Sequence, residues 1–249
     1  MIPASYASYE LNRNEKWRFL MICGLGLLAS AYLFYHSIVL SLLFSLLAYP
    51  GLKQYRSYLA DKRRKELKDQ FRDVLYSVSA SISTGRQMAE ALKEAEHSMK
   101  LIYRENSLIV TELSHMVKRL NESRESEETI LKDFAIRTSI DDIADFVDIY
   151  LTCRETGGDL IKVLSKASEV IMDKISIERE IRTITAQKIF EAKILTAIPL
   201  IVILFLQLVS PDYLAVMYTS LSGRIVMTAA LFGIGAAYFW SMKLMRIEI

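Results

Sequence analysis

The chain has 249 residues, of which 52% are apolar and 24% are charged, and its mean hydropathy is +0.22. Because apolar and charged residues are both frequent, we predict that they are separated into apolar and charged blocks along the chain. The two cysteines, Cys23 and Cys153, have neither disulfide nor metal-site spacing, which excludes a disulfide framework and a cysteine-bound metal.

An apolar block follows a short segment, residues 1–16, that we expect to be cytoplasmic. No Asp, Glu, Lys or Arg occurs over the 34 residues from Phe19 to Leu52. One straight helix of that length would measure about 50 Å, too long for one bilayer core of about 30 Å and too short for two full spans. We predict a transmembrane hairpin over residues 17–52, with short spans at about 17–35 and 37–52. A single long helix, tilted or partly cytoplasmic, is the alternative.

The placement of lysine and arginine predicts the membrane topology. Basic residues cluster on both sides of the first apolar block, and cytoplasmic flanks carry such an excess, so the block should cross the membrane an even number of times. A second apolar region predicts a C-terminal pair of transmembrane helices over residues 192–245. Its loop from Ser210 to Gly223 has no Lys or Arg and should face outward. The expected chain has four spans, a tail at 246–249 and both termini in the cytoplasm.

Between the two pairs of spans lies a charged block, residues 53–191, that we expect in the cytoplasm. It has no proline and only three glycines, and its apolar residues recur at helical spacing. The fold class is therefore all-α: a multi-pass membrane protein with a cytoplasmic six-helix bundle between two pairs of transmembrane helices. The third apolar stripe of the block runs from Leu108 to Leu120, and Glu112 is its one polar residue. The six predicted helices cover about 64–83, 86–97, 103–121, 126–136, 140–156 and 159–190.

Charge is unevenly distributed within this block. Residues 53–68 carry a net charge of +5, and residues 69–191 carry a net charge of −6. The basic stretch lies next to the predicted membrane, where anionic headgroups attract it. An acidic domain held at a membrane is a poor partner for nucleic acid, so we expect no nucleic-acid binding.

Two similar segments interrupt the predicted helices, STGRQMAEAL at 83–92 and ETGGDLIKVL at 155–164. Adjacent glycines suggest a phosphate loop, but no strand precedes them and no Lys-Ser or Lys-Thr of a P-loop follows. The better interpretation is the end of one helix and the start of another. Gly85 and Gly157 suit the left-handed residue that ends a helix, and Asp159 suits an N-cap. The predicted turn residues are Thr84, Gly85, Thr156, Gly157, Gly158 and Asp159.

The fifth predicted helix carries four neighbouring aspartates, Asp141, Asp142, Asp145 and Asp148. A solvated face is the simpler interpretation. The functional one is a docking surface for a basic partner, or a divalent-cation site if further carboxylates join it. The other residues that we place near partner surfaces are Arg63, Arg64 and Glu155. The three histidines are scattered and no nucleophile setting stands out, so we expect no catalytic residue, metal site or cofactor.

Several segments, taken in order, resemble a known family. The charged block carries QFRDVLYSVSASISTGRQMAEAL near its start and ETGGDLIKVL in its middle, and RTITAQKIFEAKILTAIPLIV leads into two spans and a short basic tail. This order is similar to the type II secretion system F domain, over roughly residues 67–245. One such domain between two pairs of spans resembles the tight-adherence (Tad, or Flp) pilus members of the family, TadB and TadC. The turn near 121–126 departs from the family pattern, because NESRES replaces the usual proline or glycine.

The resemblance implies a function that the residues alone do not name. Such proteins are platform proteins in the bacterial inner (cytoplasmic) membrane, where they couple a cytoplasmic hexameric secretion ATPase to pilin extraction and polymerisation. Tad members work in pairs. The expected partners are therefore the ATPase, pilin, the lipid membrane, and a paralogous F-domain protein or a second copy. An archaellum-type platform protein is an alternative within the same family.

Two other classes of function fit parts of the sequence. A membrane-anchored helical sensor or scaffold that dimerises shares the predicted topology and also lacks catalytic residues. A channel or carrier would need ionisable groups at membrane depth, and the predicted spans carry almost none. An enzyme is the least expected class, because no constellation of residues supports one.

Overall fold

The structure is a computed structural model, and it describes residues 5–6, 9, 11–35, 37–45, 49, 51–156 and 159–244. Every regular element within these residues is a helix, which confirms the all-α prediction. A π-helix at Arg119–Ser123 accompanies the α-helices. In chain order the α-helices are α1 Arg13–Tyr35, α2 Ile38–Ser45, α3 Gly51–Ser83, α4 Met88–Ile102, α5 Leu108–Lys118, α6 Glu127–Thr138, α7 Asp141–Thr156, α8 Leu160–Val209, α9 Pro211–Thr219 and α10 Leu221–Leu244.

The chain divides into two compact units. The first, called the helical unit, comprises the described residues of Met1–Glu10 and Arg56–Arg179. The second, called the apolar unit, comprises those of Leu11–Tyr55 and Glu180–Ile249. The helical unit contains most of the charged block, and the apolar unit contains the apolar blocks. Helices α3 and α8 contribute residues to both units.

The helical unit is built around a core to which α3, α4, α5, α6, α7 and α8 all contribute. Apolar residues three or four positions apart form a buried stripe on these helices, as the periodicity predicts. The ring centroid of Phe71 in α3 lies 6.2 Å from that of Phe134 in α6 and 5.9 Å from that of Phe146 in α7. The same core contains Leu75, Leu92, Leu113, Leu131, Leu164 and Ile175.

Helix boundaries in the helical unit differ from the prediction most clearly in α3, α4 and α5. α3 begins at Gly51 rather than near residue 64, because the basic stretch contains good helix formers and no breaker. α4 continues to Ile102. α5 ends at Lys118, where the chain continues as the π-helix, and Arg124 then takes a left-handed conformation with φ of 50°.

The apolar unit contains the helices that could cross a membrane. Among the described residues, three helices are long and apolar enough to cross a membrane: α1, α8 through its apolar part, and α10. α1 ends at Tyr35 and α2 begins at Ile38, where the sequence predicts the turn between two spans. α2 has only 8 residues, too few to cross. The predicted second span also includes residues 46–48 and 50, which lie outside the described residues, so the count of four spans stays a prediction.

Two tyrosine hydroxyls connect the helices of the apolar unit. Tyr35, at the end of α1, donates to the Thr228 hydroxyl in α10 at 3.1 Å. Tyr218 of α9 donates to the Leu33 carbonyl of α1 at 2.8 Å. α9 itself lies in the segment predicted as an outward loop. Pro211 is the first residue of α9. Proline suits this position because the first N–H groups of a helix have no partner within the helix, so the N–H that proline lacks is not needed.

Candidate functional site in the helical unit

The aspartates of α7, predicted as one face, do not all lie on the surface. Asp141, Asp145 and Asp148 are exposed, whereas Asp142 is only 2% exposed. Asp142 lies four residues before Phe146 and therefore shares the buried face of the helix. The interpretation of the aspartates as a solvated or partner-facing set is wrong for Asp142, and an exposed set of three remains.

Asp142 belongs to an ion cluster that joins α3, α7 and α8. Its Oδ2 lies 2.6 Å from Lys68 Nζ, and its Oδ1 lies 2.7 Å from Lys174 Nζ. Lys68 Nζ also lies 2.5 Å from Glu178 Oε2. Burial alone would raise the pKa of Asp142, but hydrogen bonds from Lys174 and Lys68 outweigh burial and lower the pKa below its usual value. Asp142 therefore stays ionised and ties three helices together.

Arg63 and Arg64 of α3, predicted near a partner surface, are half-buried and contact the helical unit itself. The Arg63 guanidinium lies 5.1 Å from the centre of the Tyr6 ring, a cation–π contact. Arg64 donates through Nη2 to the carbonyl of Ser139. Glu155 is exposed near the end of α7. A partner role for these three charged residues stays a prediction.

Glu112, the polar residue in the third apolar stripe, is fully buried. Arg137 of α6 donates twice to it, from Nη1 to Oε1 at 3.0 Å and from Nη2 to Oε2 at 2.8 Å. Tyr6 donates its O–H to Oε1 at 2.7 Å. A buried carboxylate is tolerated when it is paired and hydrogen-bonded, and these donors meet both conditions.

The Glu112 pair continues into a series of ion pairs along α6. Arg137 Nε donates to Asp133 Oδ2 at 2.9 Å, and Arg119 Nη1 donates to the same oxygen at 2.6 Å. Arg119 Nε also donates to Glu125 Oε2 at 3.1 Å. Burial would raise the pKa of Asp133, but Arg137 and Arg119 lower it. The π-helix and the turn after it are held to α6 in this way.

The pKa values of Tyr6 and Arg137 are shifted in directions that preserve this arrangement. Burial raises the pKa of the Tyr6 phenol, and the hydrogen bond to Glu112 raises it further. Burial would lower the pKa of Arg137, but hydrogen bonds to Glu112 and Asp133 raise it above its usual value. At neutral pH the cluster therefore contains a neutral phenol and a charged guanidinium.

The first predicted turn follows α3. Gly85 has φ of 83°, in the left-handed region that glycine adopts without a steric penalty. Thr84 donates its hydroxyl to the Ser81 carbonyl at 2.7 Å, and the Gly85 N–H donates to the Ile82 carbonyl at 2.8 Å. These bonds satisfy carbonyls that lack a partner at a helix end. The next helix starts at Met88.

The second predicted turn follows α7. Thr156 donates its hydroxyl to the Thr152 carbonyl at 2.9 Å. Asp159 Oδ1 accepts a hydrogen bond from the Lys162 N–H at 3.2 Å, which is N-cap geometry at the start of α8. The glycines at 157–158 lie outside the described residues, so their left-handed cap stays a prediction.

The described residues contain no group of three or more His, Cys, Asp or Glu side chains that could hold a metal ion. The divalent-cation interpretation of the α7 aspartates has no geometric support within them. The sequence does mark Glu112 as unusual, but it does not predict Arg137, 25 residues away on another helix, or Tyr6, 106 residues away. Only packing between distant segments reveals these partners.

Comparison with protein families gives a match. The family model described as "Type II secretion system (T2SS), protein F" matches residues 74–208, more than half of the chain. The matched range begins in α3 and ends in the last turn of α8, so it includes both turns and most of the ion clusters. No curated protein and no solved structure matches the chain at a significant level.

Proposed function

Because the chain belongs to the type II secretion system protein F family, we propose that it is a platform protein of a Tad- or Flp-type pilus assembly system, or of a related type II secretion-like machine. Proteins of this family are inner-membrane platform proteins and typically work with a secretion ATPase. We infer that this chain couples a cytoplasmic hexameric ATPase to pilin extraction and polymerisation. Its further partner is a paralogous F-domain protein or a second copy.

The observation that carries the proposal is the extent of the family match. Residues 74–208 begin in the core of the helical unit and end in the apolar part of α8. Large exposed apolar side chains on α1, α8 and α10 suit contact with lipid. A platform protein needs both regions, because it must stay in the membrane and present a folded surface to a cytoplasmic motor.

For the ATPase contact we propose the exposed part of α7, formed by Asp141, Asp145 and Asp148, together with Glu155. These carboxylates face solvent, so a basic surface would pair with them. Charge pairs at an interface rim mainly raise the association rate and align the partners. Such a contact suits a motor that must engage and release repeatedly.

A capture experiment tests this proposal in membranes that contain the full chain. Replacing both Asp145 and Asp148 by Lys should lower crosslinking to a candidate secretion ATPase by about tenfold or more. The matched control replaces Glu105 and Glu122 by Lys, the same charge change at exposed positions elsewhere in the helical unit. Equal capture by the two variants would contradict the α7 contact. A deletion strain that still assembles pili and secretes normally would contradict the platform function itself.

A further inference from the structure

A socket in the helical unit holds a side chain from outside its helices. Tyr6, which precedes α1, is 2% exposed and belongs to the hydrophobic core of that unit. Arg63 of α3, Glu112 of α5 and Arg137 of α6 contact it. We call these three residues the Tyr6 socket. Its occupant is the Tyr6 segment, the stretch before α1 of which the structure describes Ser5, Tyr6 and Tyr9.

The socket recognises both the ring and the hydroxyl of a tyrosine. The Arg63 guanidinium lies over the ring face, a contact that any aromatic side chain makes. The buried Glu112 carboxylate, already paired with Arg137, accepts the phenol O–H at 2.7 Å. A phenylalanine would remove this donor and leave Oε1 with only the hydrogen bond from Arg137 Nη1, and the loss of a hydrogen bond at a buried polar group is destabilising. The socket therefore favours tyrosine over phenylalanine.

The backbone of the Tyr6 segment is bound as well. The Tyr6 N–H donates to the Arg137 carbonyl at 2.8 Å. Arg137 is the residue before the last one of α6, so its carbonyl is among those without a partner inside the helix. Arg56 Nε donates to the Tyr9 carbonyl at 2.5 Å. The helical unit thus offers both a donor and an acceptor to the backbone of an incoming peptide.

Contacts that do not involve the Tyr6 segment hold the socket in shape. Two hydrogen bonds fix Arg137 to Glu112, and a third fixes it to Asp133. Arg119 in turn holds Asp133. Among the described residues of the segment, Tyr6 is bound through its buried side chain and its backbone N–H, and Tyr9 is bound through its carbonyl. Local opening of such a segment needs less free energy than separating packed helices.

We propose that the Tyr6 socket is a peptide-binding site for tyrosine-bearing segments, and that the Tyr6 segment occupies it as an exchangeable intramolecular ligand. When the segment opens, the socket accepts the same segment of a second copy of this chain. The ligand class is a peptide that presents a tyrosine O–H to Glu112 and a backbone N–H to the end of α6.

A peptide titration on the full chain in lipid nanodiscs tests the proposal. The probe is a fluorescent peptide with the sequence MIPASYASYELN, which is that of residues 1–12. It should bind saturably to the Tyr6→Ala chain, whose own segment no longer fills the socket. Binding to the wild-type chain should be about tenfold weaker or more, because the socket is open for only a fraction of the time. A probe carrying Tyr6→Phe should bind the Tyr6→Ala chain about tenfold more weakly.

Each contrary result of the titration overturns a defined part of the proposal. Equal binding of the tyrosine and phenylalanine probes would overturn recognition of the hydroxyl by Glu112. Absence of binding to the Tyr6→Ala chain, or equal binding to this chain and the wild type, would overturn the socket as an exchangeable site.

A second measurement needs no probe and keeps the aromatic ring in place. In the full chain, Tyr6→Phe should speed hydrogen exchange at the amide of residue 6 by about tenfold, because the bound state loses a charge-assisted hydrogen bond. The matched control is Tyr76→Phe, the same change at a tyrosine of α3 that is 72% exposed. The control should leave exchange at residue 6 unchanged. An unchanged rate in Tyr6→Phe would also overturn the proposal.

Discussion

The two units of the chain treat their apolar side chains in opposite ways. In the helical unit Leu67 and Leu75 have no exposed surface. In the apolar unit Leu208 is 77% exposed and Trp240 is 73% exposed. The helical unit therefore removes its apolar surface from water by its own packing, whereas the apolar unit needs an apolar surrounding, which a bilayer supplies.

The polar contacts of the two units differ as well. The helical unit buries Glu112 and Asp142 in ion pairs that join separate helices. Helices of the apolar unit are joined by the hydroxyls of Tyr35 and Tyr218 instead. We therefore expect the helical unit to respond to single charge changes and to pH. The apolar unit should respond mainly to changes at points where backbones approach closely.

The largest effect is expected when Arg137 loses its charge. Arg137→Met leaves the fully buried Glu112 without its bidentate partner, and breaking a buried pair in this way costs about 3–5 kcal/mol. Hydrogen exchange at the amides of α5, measured on the full chain in nanodiscs, reports the free energy of opening of the helical unit. That free energy should fall by about this amount.

Lys166→Ala is the control for this prediction, because it removes an ion pair of the same unit that lies in solvent. Lys166 Nζ lies 2.8 Å from Glu169 Oε2, and the two side chains are 70% and 58% exposed. Exposed pairs contribute little because water screens them. Similar exchange rates in Arg137→Met and wild type would mean that buried charge pairs do not distinguish the helical unit.

The next effect depends on pH and concerns Asp142. In the unfolded chain an aspartate has a pKa of about 3.9. In the folded chain, ion pairing lowers the pKa of Asp142 below its usual value. Its ion pairs therefore stabilise the fold fully above about pH 4, and this contribution is lost as pH falls through the folded pKa. Asp142→Asn should lower stability less than Arg137→Met does. Lys68 keeps its ion pair with Glu178, and Lys174 is 51% exposed, so water can solvate its charge.

Thermal unfolding of both chains in one detergent, followed by circular dichroism from neutral to acidic pH, checks this expectation. The difference in apparent melting temperature between wild type and Asp142→Asn should be constant near neutral pH and should shrink below about pH 4. A difference that persists unchanged in acid would show that the carboxylate acts through packing rather than charge.

How well the sequence predicts each region depends on how far apart in the chain the contacting residues lie. The helices of the helical unit are predictable because apolar spacing is local information. Asp142 and Asp145 look alike in sequence, and only the orientation of α7 in the core separates the buried one from the exposed one. The contact of Tyr6 with Glu112 joins residues 106 positions apart. α9 is not predicted, because its 9 residues are too few to show a clear stripe.

In the apolar unit, the expected effect arises from backbone proximity. A Cβ atom added at Gly223 of α10 would lie 2.6 Å from the backbone Cα and oxygen of Met217. Gly223→Ala therefore forces the turn between α9 and α10 to shift, at a cost of about 1–3 kcal/mol. Gly233→Ala, in the same helix, is the control, because a Cβ there meets nothing within 4 Å. Only Gly223→Ala should lower the apparent melting temperature in detergent, and equal effects would contradict the importance of this close approach.

The smallest effect is expected at Gly85, where backbone conformation acts alone. A Cβ at Gly85 would meet nothing within 4 Å, but φ is 83°, so Gly85→Ala should cost about 1 kcal/mol through backbone strain. Gly85→Asn should cost less, because Asn adopts the left-handed region more readily. Exchange at the last amides of α3 measures both variants. Gly157→Val should likewise cost about 1 kcal/mol or more, as the matching sequence at 155–164 predicts. If Gly157→Val leaves stability unchanged while Gly85→Ala lowers it, the two similar segments form different turns.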